Sequence, residues 1–180
     1  MPGPERARNP QEIQLPRLYE MERPEDACLR LRYIAEKPLE EIGEQDYVLA
    51  LEFITKDARG REIFDTFRLT LKDAKDLFAL LTHIPPGHLN ERGQASARKL
   101  SLLNVGRERN DSYAEFVRVK FDPVSNQKAR REIISVTYHH PGQGRKPEAF
   151  VRTADLVAAL RRFLPDPELH DCLIDVLVHD

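Results

Sequence analysis

The sequence predicts an α+β fold: an antiparallel sheet built from two strands-then-helix units, with the helices packed on one face, plus a C-terminal helix. Three observations carry this expectation. The segment Arg130 to Leu164 (RREIISVTYHHPGQGRKPEAFVRTADLVAALRRFL) reads as a strand, a basic glycine-containing loop, a short strand and an amphipathic helix. The same order occurs, more loosely, from Tyr47 to Leu81 (YVLALEFITKDARGREIFDTFRLTLKDAKDLFALL). Between them His88 to Arg98 (HLNERGQASAR) is polar and without periodicity, the pattern of a linker. The units are therefore placed at residues 27–87 and 99–164, with an arm at 1–26, the linker at 88–98 and a last helix at 165–180. Residues 27–180 read as one compact domain.

Taken in order, Met1 to Asp26 carries Pro2, Pro4, Pro10, Pro16 and Pro24, a spacing that lets no regular element run far. It reads as a disordered or loosely draped arm that Ile13, Leu15, Leu18 and Tyr19 can pin to the body. From Ala27 the pattern alternates. Leu29, Leu31 and Tyr33 face one way and Arg30 and Arg32 the other, the period of a strand with one buried face. Pro38 and the acids Glu40, Glu41, Glu44 and Asp46 mark a loop. Tyr47, Leu49, Leu51 and Phe53 give the next core face, and Asp57 to Arg61 (DARGR) is a hairpin turn. The returning strand, Glu62 to Leu71, places Phe67, Leu69 and Leu71 inward and Phe64, Thr66 and Arg68 outward. Thr70 is the expected N-cap of a helix carrying Ala74, Leu77, Phe78, Leu81 and Ile84, with Asp73 completing a shortened capping box. Pro85-Pro86-Gly87 ends that helix.

In the second unit Lys99 to Arg107 reads as a strand, although Leu100, Leu102 and Leu103 do not alternate cleanly. Ser112 to Phe121 is expected to bury Tyr113, Val117, Val119 and Phe121 and to expose Phe116, Arg118 and Lys120. In Arg131 to His140, Ile134, Val136 and Tyr138 form the core face, leaving Arg131, Ser135, Thr137 and His139 outward. A short strand around Phe150 and Val151 leads to a helix capped by Thr153, with Leu156, Val157, Leu160, Phe163 and Leu164 apolar. Asp166 and Pro167 announce the last helix, whose stripe is Leu169, Cys172, Leu173, Val176 and Leu177.

Composition limits the function. A chain of 180 residues with 41% hydrophobic and 32% charged residues has a globular profile. No apolar run is long enough to span a bilayer and the N-terminus lacks the apolar core of a signal peptide, so a cytoplasmic location is expected. Cys28 and Cys172 read as buried free thiols, a disulfide between them being the alternative. A net charge of −2 argues against coating nucleic acid by bulk charge. Basic residues nevertheless outnumber acids between Lys99 and Arg152, and acids lead after it, so the tail either competes for the basic region or forms a separate interaction surface.

No Gly-x-Ser-x-Gly elbow, Walker loop or His-Glu-x-x-His motif occurs, and no cofactor is expected. His139 and His140 fall on opposite faces of a strand, while His170 and Cys172 diverge by roughly 200° on a helix, so neither pair makes a metal site. In PGQGRKP the glycines fit neither a dinucleotide nor a Walker pattern, so the loop with Arg145 and Lys146 reads as a flexible basic hairpin tip able to touch a phosphodiester backbone, a cradle of backbone amides around a phosphate being the alternative.

The coherent constellation is the outward face of the strands: Arg30, Arg32, Phe64, Arg68, Phe116, Arg118, Lys120, Arg131 and His139. Cations there would neutralise phosphates and aromatics would stack on bases, the composition of a single-strand platform. A wet sheet face with no such role carries the same alternation. In FRLTLKDAKDLFALL and AFVRTADLVAALRRFL the final strand, threonine and helix of each unit resemble the elements that close a module in the Whirly and PUR-like single-stranded nucleic-acid-binding proteins. That resemblance covers Ala27 to Leu164. It implies a curved antiparallel sheet with helices behind it, assembly through the helices, and unpaired strands bound on the sheet face.

The sequence thus predicts a non-enzymatic homodimer or larger homo-oligomer binding single-stranded DNA or RNA, with no membrane partner. The alternatives are a protein-interaction or oligomerisation module, docking through the sheet face or through Leu169, Leu173, Val176 and Leu177, and an enzyme using loop acids and histidines.

Overall fold

The computed structural model describes residues 11–18, 24–83, 99–105, 112–121, 128–142, 144 and 146–166. Four antiparallel strands form a first sheet in the order β1 (Glu12–Gln14), β2 (Cys28–Tyr33), β3 (Tyr47–Lys56), β4 (Glu62–Thr70). Helix α1 (Leu71–His83) follows without a connecting loop. A second sheet repeats the order with β5 (Lys99–Val105), β6 (Tyr113–Phe121), β7 (Lys128–His139) and β8 (Glu148–Arg152), again followed at once by a helix, α2 (Thr153–Phe163). The fold is α+β with antiparallel sheets. The expected last helix lies outside the described residues.

Each strand stands on the alternation that defines it. Leu29 and Leu31 of β2, Leu49, Leu51 and Phe53 of β3, and Phe67 and Leu69 of β4 share one buried face. They meet Ala114, Phe116, Ile134, Val136, Tyr138, Ala149 and Val151 of the second sheet in one apolar cluster, which α1 joins through Ala74, Leu77 and Phe78 and α2 through Leu156 and Leu160. Tyr138 crosses between the sheets, edge-on to Phe53 at 5.7 Å and to Phe67 at 5.8 Å. The sheets are also joined along their backbones. The Ala27 N–H donates to the Glu148 carbonyl at 2.9 Å and the Glu148 N–H to the Glu25 carbonyl at 2.8 Å.

Three local departures from the sequence expectation have physical causes. First, the arm contributes a strand: Glu12–Gln14 pairs with Arg30 to Arg32, and Leu15 is buried beside it. The strand is three residues long, with Pro16 soon after it, and is too short to show a period. Second, the β3–β4 register slips between Tyr47 and Leu49, so Val48 fills the core position and Tyr47 turns outward. A similar slip between Ser101 and Leu103 accounts for the broken alternation of β5.

Third, Thr153 does not cap α2. Arg152 occupies the N-cap position because β8 runs straight into the helix, and the Thr153 hydroxyl is buried without a partner. In α1 the expected cap is made. Thr70 Oγ1 accepts from the Asp73 N–H at 3.2 Å, while the Leu71 and Lys72 amides donate to the Asp46 and Glu44 carbonyls. Burial raises the Asp73 carboxyl pKa, and hydrogen bonding with Thr70 offsets only part of that rise. Among the described residues no helix is long and apolar enough to cross a membrane.

Candidate ligand-binding face

The outward face of the first sheet can be read row by row from its register. Cys28, Ile54 and Phe64 form one row; Gln14, Arg30, Glu52 and Thr66 the next; Glu12, Arg32, Ala50 and Arg68 the third. Tyr47 lies beyond, opposite Thr70. Alternate residues along a strand are roughly 6.6 Å apart, so the three rows span roughly 13 Å. Among the described residues Phe64 and Tyr47 are the exposed large hydrophobics, at 48% and 37%. Each carries a guanidinium against its ring: Arg30 lies 5.4 Å from the Phe64 centroid and Arg68 lies 4.2 Å from that of Tyr47.

Glu52 sits at the centre of this face and is buried beneath its neighbours. Arg30 donates from Nε at 3.2 Å and from Nη2 at 3.1 Å to its two oxygens, and Arg32 donates from Nε at 3.0 Å. Glu12 approaches Arg30 at 3.7 Å from the edge strand. Burial alone would raise the Glu52 pKa, but the hydrogen bonds and charges of Arg30 and Arg32 together hold it below the usual carboxylate range.

That direction fixes a pH dependence. A carboxyl whose folded pKa is depressed contributes stability above its unfolded pKa and loses it as pH falls through the folded value. Urea unfolding of wild type and Glu52→Gln should therefore differ most near neutral pH and converge as the pH drops below the carboxylate range. A difference unchanged by acidification would contradict the assignment.

The outward face of the second sheet is different. Val119, Ile133 and Phe150 form a small apolar cluster there, and Leu18 of the arm packs against it. Further along, Glu148 accepts from the Ser135 hydroxyl at 2.6 Å and the Thr137 hydroxyl at 3.4 Å. His139 stacks on Tyr113 with centroids 4.5 Å apart and pairs with Glu115 at 3.2 Å. This face is covered at one end, and toward the other its described acids, Glu115 and Glu148, are engaged by His139, Ser135 and Thr137.

The nine outward residues expected to share one platform therefore divide. Arg30, Arg32, Phe64 and Arg68 do lie together on the first sheet. Phe116 does not face outward: it is fully buried in the core, opposite Val136. Tyr113, Val117 and Val119 occupy the face expected for Phe116, and Ser135, although outward, is buried. His139 is outward but engaged with Glu115 and Tyr113. The side chains of Arg118, Lys120 and Arg131 lie outside the described residues, as do Arg145 and the interface residues Leu169, Leu173, Val176 and Leu177. Lys146 is exposed in the β7–β8 loop.

Two residues of the first face went unrecognised in the sequence. Glu52 is the one acid in YVLALEFITK, at an outward position between two strands of arginine and threonine, and that isolation was its only signal. Tyr47 reaches the face through the register slip, which no residue in the strand announces. Cys28 is a half-buried free thiol in the apolar row. Among the described residues no group of three histidines, cysteines or acids is arranged to hold a metal ion. No family model, no curated protein and no solved structure matches the chain.

Proposed function

We propose that this chain is a non-enzymatic protein that binds single-stranded DNA or RNA on the open face of its first sheet. The observation that carries the reading is the pair of exposed aromatic rings, Phe64 and Tyr47, each backed by an arginine, with Arg32 beside them. Unpaired bases stack on such rings whatever their sequence, and guanidinium groups take the phosphates between them. The order of four antiparallel strands and a helix, twice over, also supports the reading. It is the doubled order on which the resemblance to Whirly and PUR-like proteins rests.

Charge limits the affinity. Arg30, Arg32 and Arg68 share the face with Glu52 and Glu12, so two or three phosphates are all it can neutralise. Counterion release then gives a slope of log K against log salt of about −1.4 to −2.1 for a single strand. Fluorescence anisotropy with a labelled oligothymidylate should show binding at low ionic strength with that slope. Arg32→Glu with Arg68→Glu should remove it. Wild-type protein that fails to bind, or a double variant that binds equally well, overturns the reading.

One observation favours a second reading, a protein-docking surface. Glu52 neutralises much of Arg30 and Arg32, and aromatic residues with arginine around a nearly uncharged centre are typical of protein interfaces. Under that reading the oligonucleotide leaves the anisotropy unchanged at any salt concentration.

A further inference from the structure

We infer that Glu52 is a positioning residue for ligand binding: by holding Arg30 and Arg32 in fixed poses it strengthens, rather than opposes, the capture of a phosphodiester on this face. The inference rests on the function proposed above and deepens it. Bulk electrostatics makes the opposite claim, since an acid in the middle of an anion-binding surface should repel its ligand.

The geometry decides how the two arginines are shared out. Arg30 commits its whole Nε–Nη2 edge to Glu52, and its guanidinium is left beside the Phe64 ring at 5.4 Å. It is thereby placed as an extension of the stacking surface, not as a mobile cation. Arg32 commits only Nε, at 3.0 Å, and its side chain stays 45% exposed. Its two Nη groups keep their donors for a phosphate, in the planar fork that matches two oxygens. The rows put these roles side by side: Phe64, then Arg30, then Arg32, each one pleat further along. A base on Phe64 and Arg30 would thus place its backbone at Arg32.

Burial makes the arrangement rigid. Glu52 is held under both side chains and its two oxygens receive three charge-assisted hydrogen bonds. Two long side chains already fixed in the unbound protein need not be immobilised by the ligand, and each would otherwise weaken binding. Converted through the affinity scale, losing that advantage for both arginines is about fivefold or more in affinity. Arg68 is the internal comparison, because its guanidinium lies against Tyr47, one row further along than Glu52.

The test uses Glu52→Gln and Glu52→Asp in oligothymidylate anisotropy at fixed low salt, with the Arg Nε–Hε resonances recorded on the same proteins. Glu52→Gln makes the protein one charge more positive yet should bind about fivefold more weakly, and the Nε–Hε signals of Arg30 and Arg32 should move toward random-coil positions. Glu52→Asp keeps the charge but shortens the acid, and should fall between wild type and Glu52→Gln. If Glu52→Gln does not fold, the comparison of Glu52→Asp with wild type at equal charge decides the matter: weaker binding supports the inference and equal binding overturns it. Glu52→Gln binding as tightly as wild type, or more tightly, overturns it while leaving the proposed function standing. Wild-type protein that binds no oligonucleotide removes both.

Discussion

Phe116→Ala is expected to lower the unfolding free energy by about 3–5 kcal/mol, the range for deleting a fully buried aromatic ring. Phe116 has no solvent exposure and lies in the shared cluster opposite Val136. Its removal opens a cavity between two sheets that already pack on each other. The folded fraction of the variant should still bind oligonucleotide as wild type does, because Phe116 is not on the open face of the first sheet. Phe64→Ala should do the reverse. Its ring is 48% exposed, so the stability change should stay below about 1 kcal/mol while binding weakens. Urea titration at unchanged m-value, paired with anisotropy on each variant, separates the two. A Phe116→Ala protein as stable as wild type would put that ring back on the surface.

The contrast shows where the sequence was readable and where it was ambiguous. In β2 Arg30 and Arg32 alternate with Leu29 and Leu31, and in β4 Thr66 and Arg68 alternate with Phe67 and Leu69, so the pleat carries Phe64 to the same outward face. In β6, YAEFVRVKF, both faces carry apolar residues. Phe116 shares its parity with Arg118 and Lys120, whose charges point to an outward face, whereas the structure turns Phe116 into the core. The second sheet also covers one end of its outward face, where Leu18 of the arm packs on Val119, Ile133 and Phe150, and a strand apolar on both sides has no period to read.

The candidate site was half visible for a related reason. Its arginines and Phe64 stood out by alternation. Glu52 lay in a strand otherwise buried on both faces, and Tyr47 moved onto the surface only through the extra residue Val48. A register slip is set by pairing with β4 and leaves no mark within β3 itself.

Tyr138→Ala should be as damaging as Phe116→Ala, about 3–5 kcal/mol, but with a different signature. Tyr138 belongs to β7, yet two of its ring contacts are to Phe53 and Phe67 of the first sheet, both edge-on. Such pairs add about 0.5–1.5 kcal/mol beyond the area they bury. A double-mutant cycle with Phe53→Ala should therefore return a coupling energy in that range. The consequence extends past the contact itself. If the shared cluster holds both sheets in one cooperative unit, amides of β3 and of β7 lose hydrogen-exchange protection by the same free energy when Tyr138 is truncated. The backbone bonds between Ala27, Glu25 and Glu148 act in the same direction, since they fasten the lead-in of β2 to the edge of β8. Loss of protection confined to β7 would mean that the first sheet, with its candidate binding face, is stable without the second. In that case the repeat would consist of two modules that touch, and the open face would survive the loss of its neighbour.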